Sequence, residues 1–277
     1  DTSLASNNEF WLTQRLEAQN LQHLRYGNAA AKSLTISFWT RSNKTGDFGL
    51  WMYSADGGRQ YATTYTINSA DTWEKKVVTI PGDTSGTINN DNGPGLECRW
   101  YLGAGSSYAG TPASTWTGTL SNRTTTMNLA DSTSNEWYLT GVQLEVGTVD
   151  TPFESRSYGD ELLRCQRYYE HSYNTGVTPG SNSNVGGYYM SLTSDSGGNA
   201  TWSLEYKAQK RAVPTMAFYR DNGTSGSWDF NGSSVSAGAH TVNAHRSSQT
   251  HLNAYLAVGA NWDPAYVYGH WTSTAEL

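Results

Sequence analysis

The chain has 277 residues, of which 15% are charged and 13% aromatic, and it carries a formal net charge of −6. With no basic run it is not expected to bind nucleic acid or an anionic membrane surface, both of which need clustered Lys and Arg. No apolar stretch approaches the roughly 18–20 residues that cross a bilayer, so membrane insertion is not expected either. The 28 glycines, with many Ser, Thr and Asn, separate segments of strand formers, which is the pattern of an all-β protein.

Glu9–Glu17 reads as a first strand, and residues 20–31 as a short helix or a loop. Leu34, Ile36 and Phe38 then alternate with Thr35, Ser37 and Trp39, and a period of two sends the two sets to opposite sheet faces. Phe48, Leu50 and Met52 repeat the pattern, with Trp51 and Tyr53 facing away. Ala55-Asp56-Gly57-Gly58 is a hairpin turn, because its glycines permit positive φ, and residues 61–67 return as a strand. Further strands are expected at 73–80, 96–102 and 137–146, separated by turn formers at 81–83 and 89–95. About eight strands without a helical period predict a two-sheet jelly roll over residues 1–150. Residues 151–172 read as a linker and a short helix capped by Asp160, with Leu162, Cys165 and Tyr169 on one face. A helix of about three turns must dock on something to persist. Residues 173–277 predict a second β-sandwich, with strands at 187–193, 200–208, 215–220, 227–231, 240–245, 252–258 and 265–272. The fold class is therefore all-β: two jelly-roll-like β-sandwich domains joined by a linker and a short helix.

Cys98 and Cys165 form no disulfide framework and match no zinc spacing. Cys98 alternates with Leu96, Trp100 and Leu102, which predicts a buried free thiol. The chain begins at Asp1 with neither a start methionine nor a signal peptide, so an attachment region ahead of it is expected in a longer protein.

Several motifs occur in order along the chain: Gln14-Arg15-Leu16-Glu17, Ser37-Phe38-Trp39-Thr40-Arg41 with the following Ser42-Asn43-Lys44-Thr45-Gly46, Thr72-Trp73-Glu74-Lys75-Lys76 and Leu102-Gly103-Ala104-Gly105-Ser106. The junction Cys165-Gln166-Arg167-Tyr168-Tyr169-Glu170, within the segment Thr140 to Glu170, and Gly269-His270-Trp271 follow. Together they resemble bacteriophage tail-fibre and receptor-binding structural proteins whose front half is similar to a carbohydrate-binding jelly roll. The resemblance implies an extracellular virion component that adheres to a host-surface glycan. It also implies contact with other virion tail proteins and a homo-oligomer, often a trimer. It implies no catalytic residue and no required cofactor. Jelly-roll sugar-binding modules often carry a structural calcium, for which Asp56, Asp83 and Asp91 in turns would supply oxygens; solvated turn aspartates are the simpler reading.

If Leu34, Ile36 and Phe38 face the core, then Trp39 and Arg41, Trp51 and Tyr53, and Arg99 and Tyr101 face outward as a candidate glycan platform. Rings stack on the C–H faces of sugars while Arg, Asn and Asp bond the hydroxyls. The competing reading covers these aromatics with other protein. Turn-borne Tyr108, Trp116, Trp228 and Trp262 are a second set, weighed against plugs at sandwich ends. His171, His240, His245, His251 and His270 include no His-x-His pair, which leaves any metal site undefined. No motif of a metalloprotease, serine hydrolase or nucleotide-binding loop occurs. Asp221, Asp229 and Asp263 are the one carboxylate group near aromatics that a glycan-cleaving depolymerase could use. A purely structural fibre or baseplate subunit, with its aromatic faces as subunit contacts, is the remaining alternative.

Overall fold

The computed structural model describes residues 4–119, 122–192, 198–232, 238–259 and 265–277. The chain divides into two compact units, Asp1–Ser155 and Arg156–Glu276. Both are built of antiparallel strands, as the sequence pattern predicts.

The first unit is a two-sheet sandwich. One sheet orders β1 (Glu9–Glu17), β6 (Pro94–Ala104), β3 (Gly46–Ser54) and β4 (Arg59–Ile67) as β1-β6-β3-β4. The other orders β5 (Glu74–Ile80), β2 (Leu34–Ser42) and β7 (Trp137–Val146) as β5-β2-β7. Their inner faces meet in one core, where Leu34, Ile36 and Phe38 of β2 pack with Phe48, Leu50 and Met52 of β3 and with Leu96, Cys98 and Trp100 of β6. Phe38 sits edge-on to Tyr65 and Trp100, with ring centroids 5.0 and 5.8 Å away, a favourable quadrupole geometry. Residues 18–24, overlapping the start of the segment 20–31 read as a short helix or a loop, form a 3-10 turn that buries Ala18, Leu21 and Leu24. Cys98 is a buried free thiol, as its alternation predicts.

The long connection from β6 to β7 pairs with the free edge of β4 and also packs on the outer face of the four-stranded sheet. Its backbone bonds β4 reciprocally at Gln60 and Thr117, both at 2.9 Å, and Ser114 N–H donates to Ala62 O at 2.9 Å. Thr124 lies so close over β3 that a Cβ at Gly49 would fall 2.2 Å from its Oγ1. Only glycine allows this approach, and the connection thereby covers much of that sheet.

The second unit begins with α1 (Tyr158–Gln166) and β8 (Tyr169–His171). The remaining strands are β9 (Tyr188–Leu192), β10 (Gly198–Glu205), β11 (Thr215–Tyr219), β12 (Ser227–Gly232), β13 (Gly238–Ala244), β14 (His251–Gly259) and β15 (Ala265–Thr274). They join in the order β10-β14-β13-β12-β15-β11, with β8 and β9 also on β15. The first half of β15 pairs with β12 and β9, and its second half with β11 and β8. The sheet curls onto itself: Trp202 of β10 stacks 5.0 Å from Trp228 of β12, although β14 and β13 lie between their strands. Gly269 permits the same closure on the other side, because a Cβ there would lie 2.4 Å from Trp228 Cδ1.

Two expectations for the helix are corrected. Its cap is Ser157, whose Oγ accepts from Asp160 N–H at 3.2 Å; Asp160 lies inside the first turn. A hydroxyl at this position satisfies an orphan amide of the first turn. The helix stops at Gln166, so Tyr169 falls in β8 and not on a helical face with Leu162 and Cys165. Leu162 and Leu163 are exposed. What anchors the helix is its end: the buried Lys210 ammonium donates to Gln166 O and, at 2.7 Å, to Glu170 Oε2.

Candidate functional site

The six residues expected to form one glycan platform lie on two different sheets. Trp39 and Arg41 belong to β2, in the three-stranded sheet, whereas Trp51 and Tyr53 (β3) and Arg99 and Tyr101 (β6) belong to the four-stranded one. Both pairs of strands turn their larger apolar sets inward, so the two groups occupy opposite outer faces of the sandwich. Strand parity is read correctly from the sequence, but parity within a strand does not tell which sheet the strand joins.

On the four-stranded sheet the expected residues come together but are largely covered. Trp51 is 4% exposed and Tyr101 0%, which corrects the expectation that both rings project into solvent. Trp51 stacks on Tyr53 at 5.2 Å with planes 12° apart. The Arg99 guanidinium lies between Trp11 and Trp51, 4.2 and 4.4 Å from their centroids. Trp51 Nε1–H donates to Gln60 Oε1 at 3.1 Å. Burial pushes the Glu97 carboxyl up, but hydrogen bonds from Arg99 and Thr13 and the charges of Arg99 and Arg15 outweigh it and hold it below its usual range. These side chains satisfy one another, and the β6–β7 connection packs Tyr108 and Ala109 against them. This outer face is therefore largely a second, small core.

The three-stranded sheet differs. Trp39 is 42% exposed, Trp73 43% and Tyr138 42%. Trp39 pairs with Lys75 of β5 and Thr140 of β7, and Arg41 with Tyr138. Trp73, two residues before Lys75, lies 6.3 Å from the Tyr138 ring. The register shifts between Ser37 and Trp39, where β7 carries an extra residue at Gly141 and Val142. Such a bulge bends a strand, and Gly141, at φ 59°, leaves room beside the Trp39 ring. Arg41 lies 5.5 Å from the Tyr138 centroid and 3.3 Å from Asp71 Oδ1. Lys75 pairs with Asp150, and the Tyr138 hydroxyl donates to Glu136 at 2.8 Å. Three accessible rings bordered by charged and hydroxyl groups thus share one sheet face. Trp73 and Tyr138 did not stand out in the sequence; the signal was present, because Tyr138 pairs with the outward Arg41, and Trp73, just ahead of β5, is two positions from Lys75, the partner of Trp39.

A polar cleft of about 690 Å³ lies near the start of β3, lined by Lys44, Asp47, Thr64, Ser114, Asn128 and Asp131 among others. Lys44 is tied to Asp131 and, at 2.7 Å, to Asn128 O. No aromatic side chain lines this cleft, so it offers hydrogen bonds but no stacking surface.

The other sequence candidates have local partners. Trp228 is fully buried in the second core, and Trp116 packs against Tyr26 and Tyr61 and donates to Pro81 O at 2.6 Å. Tyr108 lies under Arg123, 4.5 Å from its centroid. Trp262 and Asp263 lie outside the described residues. Asp83 is buried against Arg59 at 2.6 Å, Asp56 accepts from Asn89 N–H at 2.8 Å, and Asp91 accepts from Gly93 N–H at 2.8 Å. Among the described residues no group of three or more His, Cys, Asp or Glu is placed to hold a metal ion. His270 is buried, stacked 3.8 Å from Tyr173, and bonded to Ser172 Oγ and Ser183 O. Asp229 is ion-paired with Arg220, while burial raises the Asp221 carboxyl above its ordinary range.

Fold and site together define a class, an all-β chain of two sandwich-like units bearing an exposed aromatic sheet face. No protein-family model matches the chain and no curated protein is significantly similar to it. Among solved structures it is similar to native recombinant discoidin II of Dictyostelium discoideum, at 10% identity over 88% of this chain and 74% of that one, with a TM-score of 0.22. It is also similar to the PBSX exported protein XepA, at 8% identity over 98% of this chain and 84% of that one, with a TM-score of 0.22.

Proposed function

We propose that the protein is a non-catalytic adhesin of a bacteriophage tail whose first unit binds a host-surface glycan on the outer face of β5-β2-β7. The observation that carries this reading is the set of three accessible rings, Trp39, Trp73 and Tyr138, on one sheet face beside Arg41 and Lys75. Indole and phenol rings offer flat apolar area to sugar C–H faces, and the flanking charged groups bond hydroxyls. The tail-fibre role rests on the ordered motifs of the sequence. Several copies on one particle would raise a weak single-site affinity by about 10²–10⁴ through avidity. On a glycan array, Trp39→Ala should lower binding about tenfold or more, as loss of an anchoring ring does, with unchanged unfolding. Unchanged binding by the folded variant would reject the site.

A specific observation also favours subunit contacts on α1. Tyr158, Leu162 and Leu163 are all exposed, Tyr158 at 68%. Apolar side chains so placed suit a homo-oligomer, of which a trimer fits a tail fibre. Light scattering on Leu162→Asp with Leu163→Asp should show smaller particles than the unaltered chain; an unchanged mass removes this contact.

A further inference from the structure

We infer that the second unit carries its own binding platform, formed by Tyr189, Tyr266 and Tyr268, for a neutral pyranose oligosaccharide. Inward-facing Tyr188 and Met190 of β9, Val267 of β15, and Trp228 and Phe230 of β12 belong to or pack against the core. Their neighbours in sequence therefore face out. Pairing sets Tyr189 opposite Tyr268, Tyr266 opposite Ser191 and Asn231, and Tyr268 opposite Asp229. Tyr189 stacks on Tyr266 at 5.3 Å and on Tyr268 at 6.2 Å, with planes 27° apart in both pairs. Tyr189 is 61% exposed and Tyr266 42%. The result is an open strip of rings across β9 and β15.

The border of the strip selects the occupant. Asp229, buried at 8% exposed, is held by Arg220 through Oδ1, at 2.9 Å from Nε. Ser191 and Asn231 are exposed on the same face. An amide and a hydroxyl beside stacked phenols match a ligand with apolar C–H faces and a rim of hydroxyls. Burial, followed by the charges of Asp229 and Asp221, raises the Tyr268 phenol above its ordinary range. Arg220 is already matched by Asp229, so an acidic sugar finds no surplus cation here. The polar border also disfavours a second copy of the chain, which would have to desolvate Ser191 and Asn231.

The test uses the full chain on an array printed with neutral, amino and acidic pyranose oligosaccharides. The chains compared are the unaltered protein, Trp39→Ala with Trp73→Ala, Tyr189→Ala with Tyr266→Ala, and Tyr189→Phe. The tyrosine pair should lose tenfold or more of its signal on a subset of neutral oligosaccharides that the tryptophan pair still binds, and Tyr189→Phe should keep that signal. If the tyrosine pair does not fold, Tyr189→Ala alone, at the most exposed of the three rings, gives the same reading. No tyrosine-dependent signal on any neutral oligosaccharide overturns the inference, whatever the tryptophan pair does. Loss of oligomer mass with binding unchanged also overturns it and assigns the face to a contact between copies. Failure of the tryptophan pair alone to alter binding counts against the first unit's face and leaves this one standing.

Discussion

Trp39 and Trp51 have similar surroundings in the sequence and opposite fates in the fold. Trp51 lies under a covering connection, hydrogen-bonded to Gln60 and packed on Arg99, so Trp51→Ala should cost about 3–5 kcal/mol through lost burial and a cavity. Trp39→Ala, at an exposed position, should change stability by no more than about 0.5 kcal/mol. Urea unfolding of both variants checks the contrast, and comparable losses would mean that Trp39 is also a packing residue. Glu74 gives a second residue-scale prediction. The Lys76 hydrogen bond, followed by backbone N–H groups of Ser69 and Asn68, holds its carboxyl at about 2. A folded-state value below the unfolded one, about 4.3, stabilises the fold fully above that unfolded value. The contribution fades as pH falls toward 2. The unfolding midpoint should therefore fall between pH 6 and pH 3, and fall less in Glu74→Gln; an equal fall in both would exclude Glu74 as a source.

At the scale of elements, alternation made most strands legible, because a half-buried sheet repeats its apolar side chain every second position. The β2, β3 and β6 segments carry that signal in Ile36, Leu50 and Cys98. The short β8 does not, since three residues contain too little of a period. Nor does any local pattern reveal that Lys210 reaches the end of α1, a contact made across more than forty residues of chain. The ion pair of Lys210 with Glu170 has side-chain exposures of 0% and 2%, so removing one partner strands a buried charge. Glu170→Ala should destabilise the second unit by about 3–5 kcal/mol, measured by denaturant unfolding. A loss under about 1 kcal/mol would show that the ammonium finds water or deprotonates at little cost. The candidate site was half legible for a related reason: outward parity identified Trp39 and Arg41, whereas the neighbours that complete their face, Tyr138 on β7 and Trp73 just ahead of β5, are brought there by long-range strand pairing.

Over the whole molecule, two units each enclose their own aromatic-rich core, and each leaves one set of rings accessible on an outer face. That combination suits repeated weak contacts with a surface better than one deep pocket. The cleft near the start of β3 is polar and has no aromatic lining. The most direct test follows the indole N–H resonances of the chain's 11 tryptophans by NMR while the strongest oligosaccharide from the array is added. The Trp39 and Trp73 signals should shift in proportion to binding while those of Trp51, Trp100 and Trp228 stay fixed. Stationary Trp39 and Trp73 signals at saturating sugar would contradict the placement of a glycan on the β5-β2-β7 face.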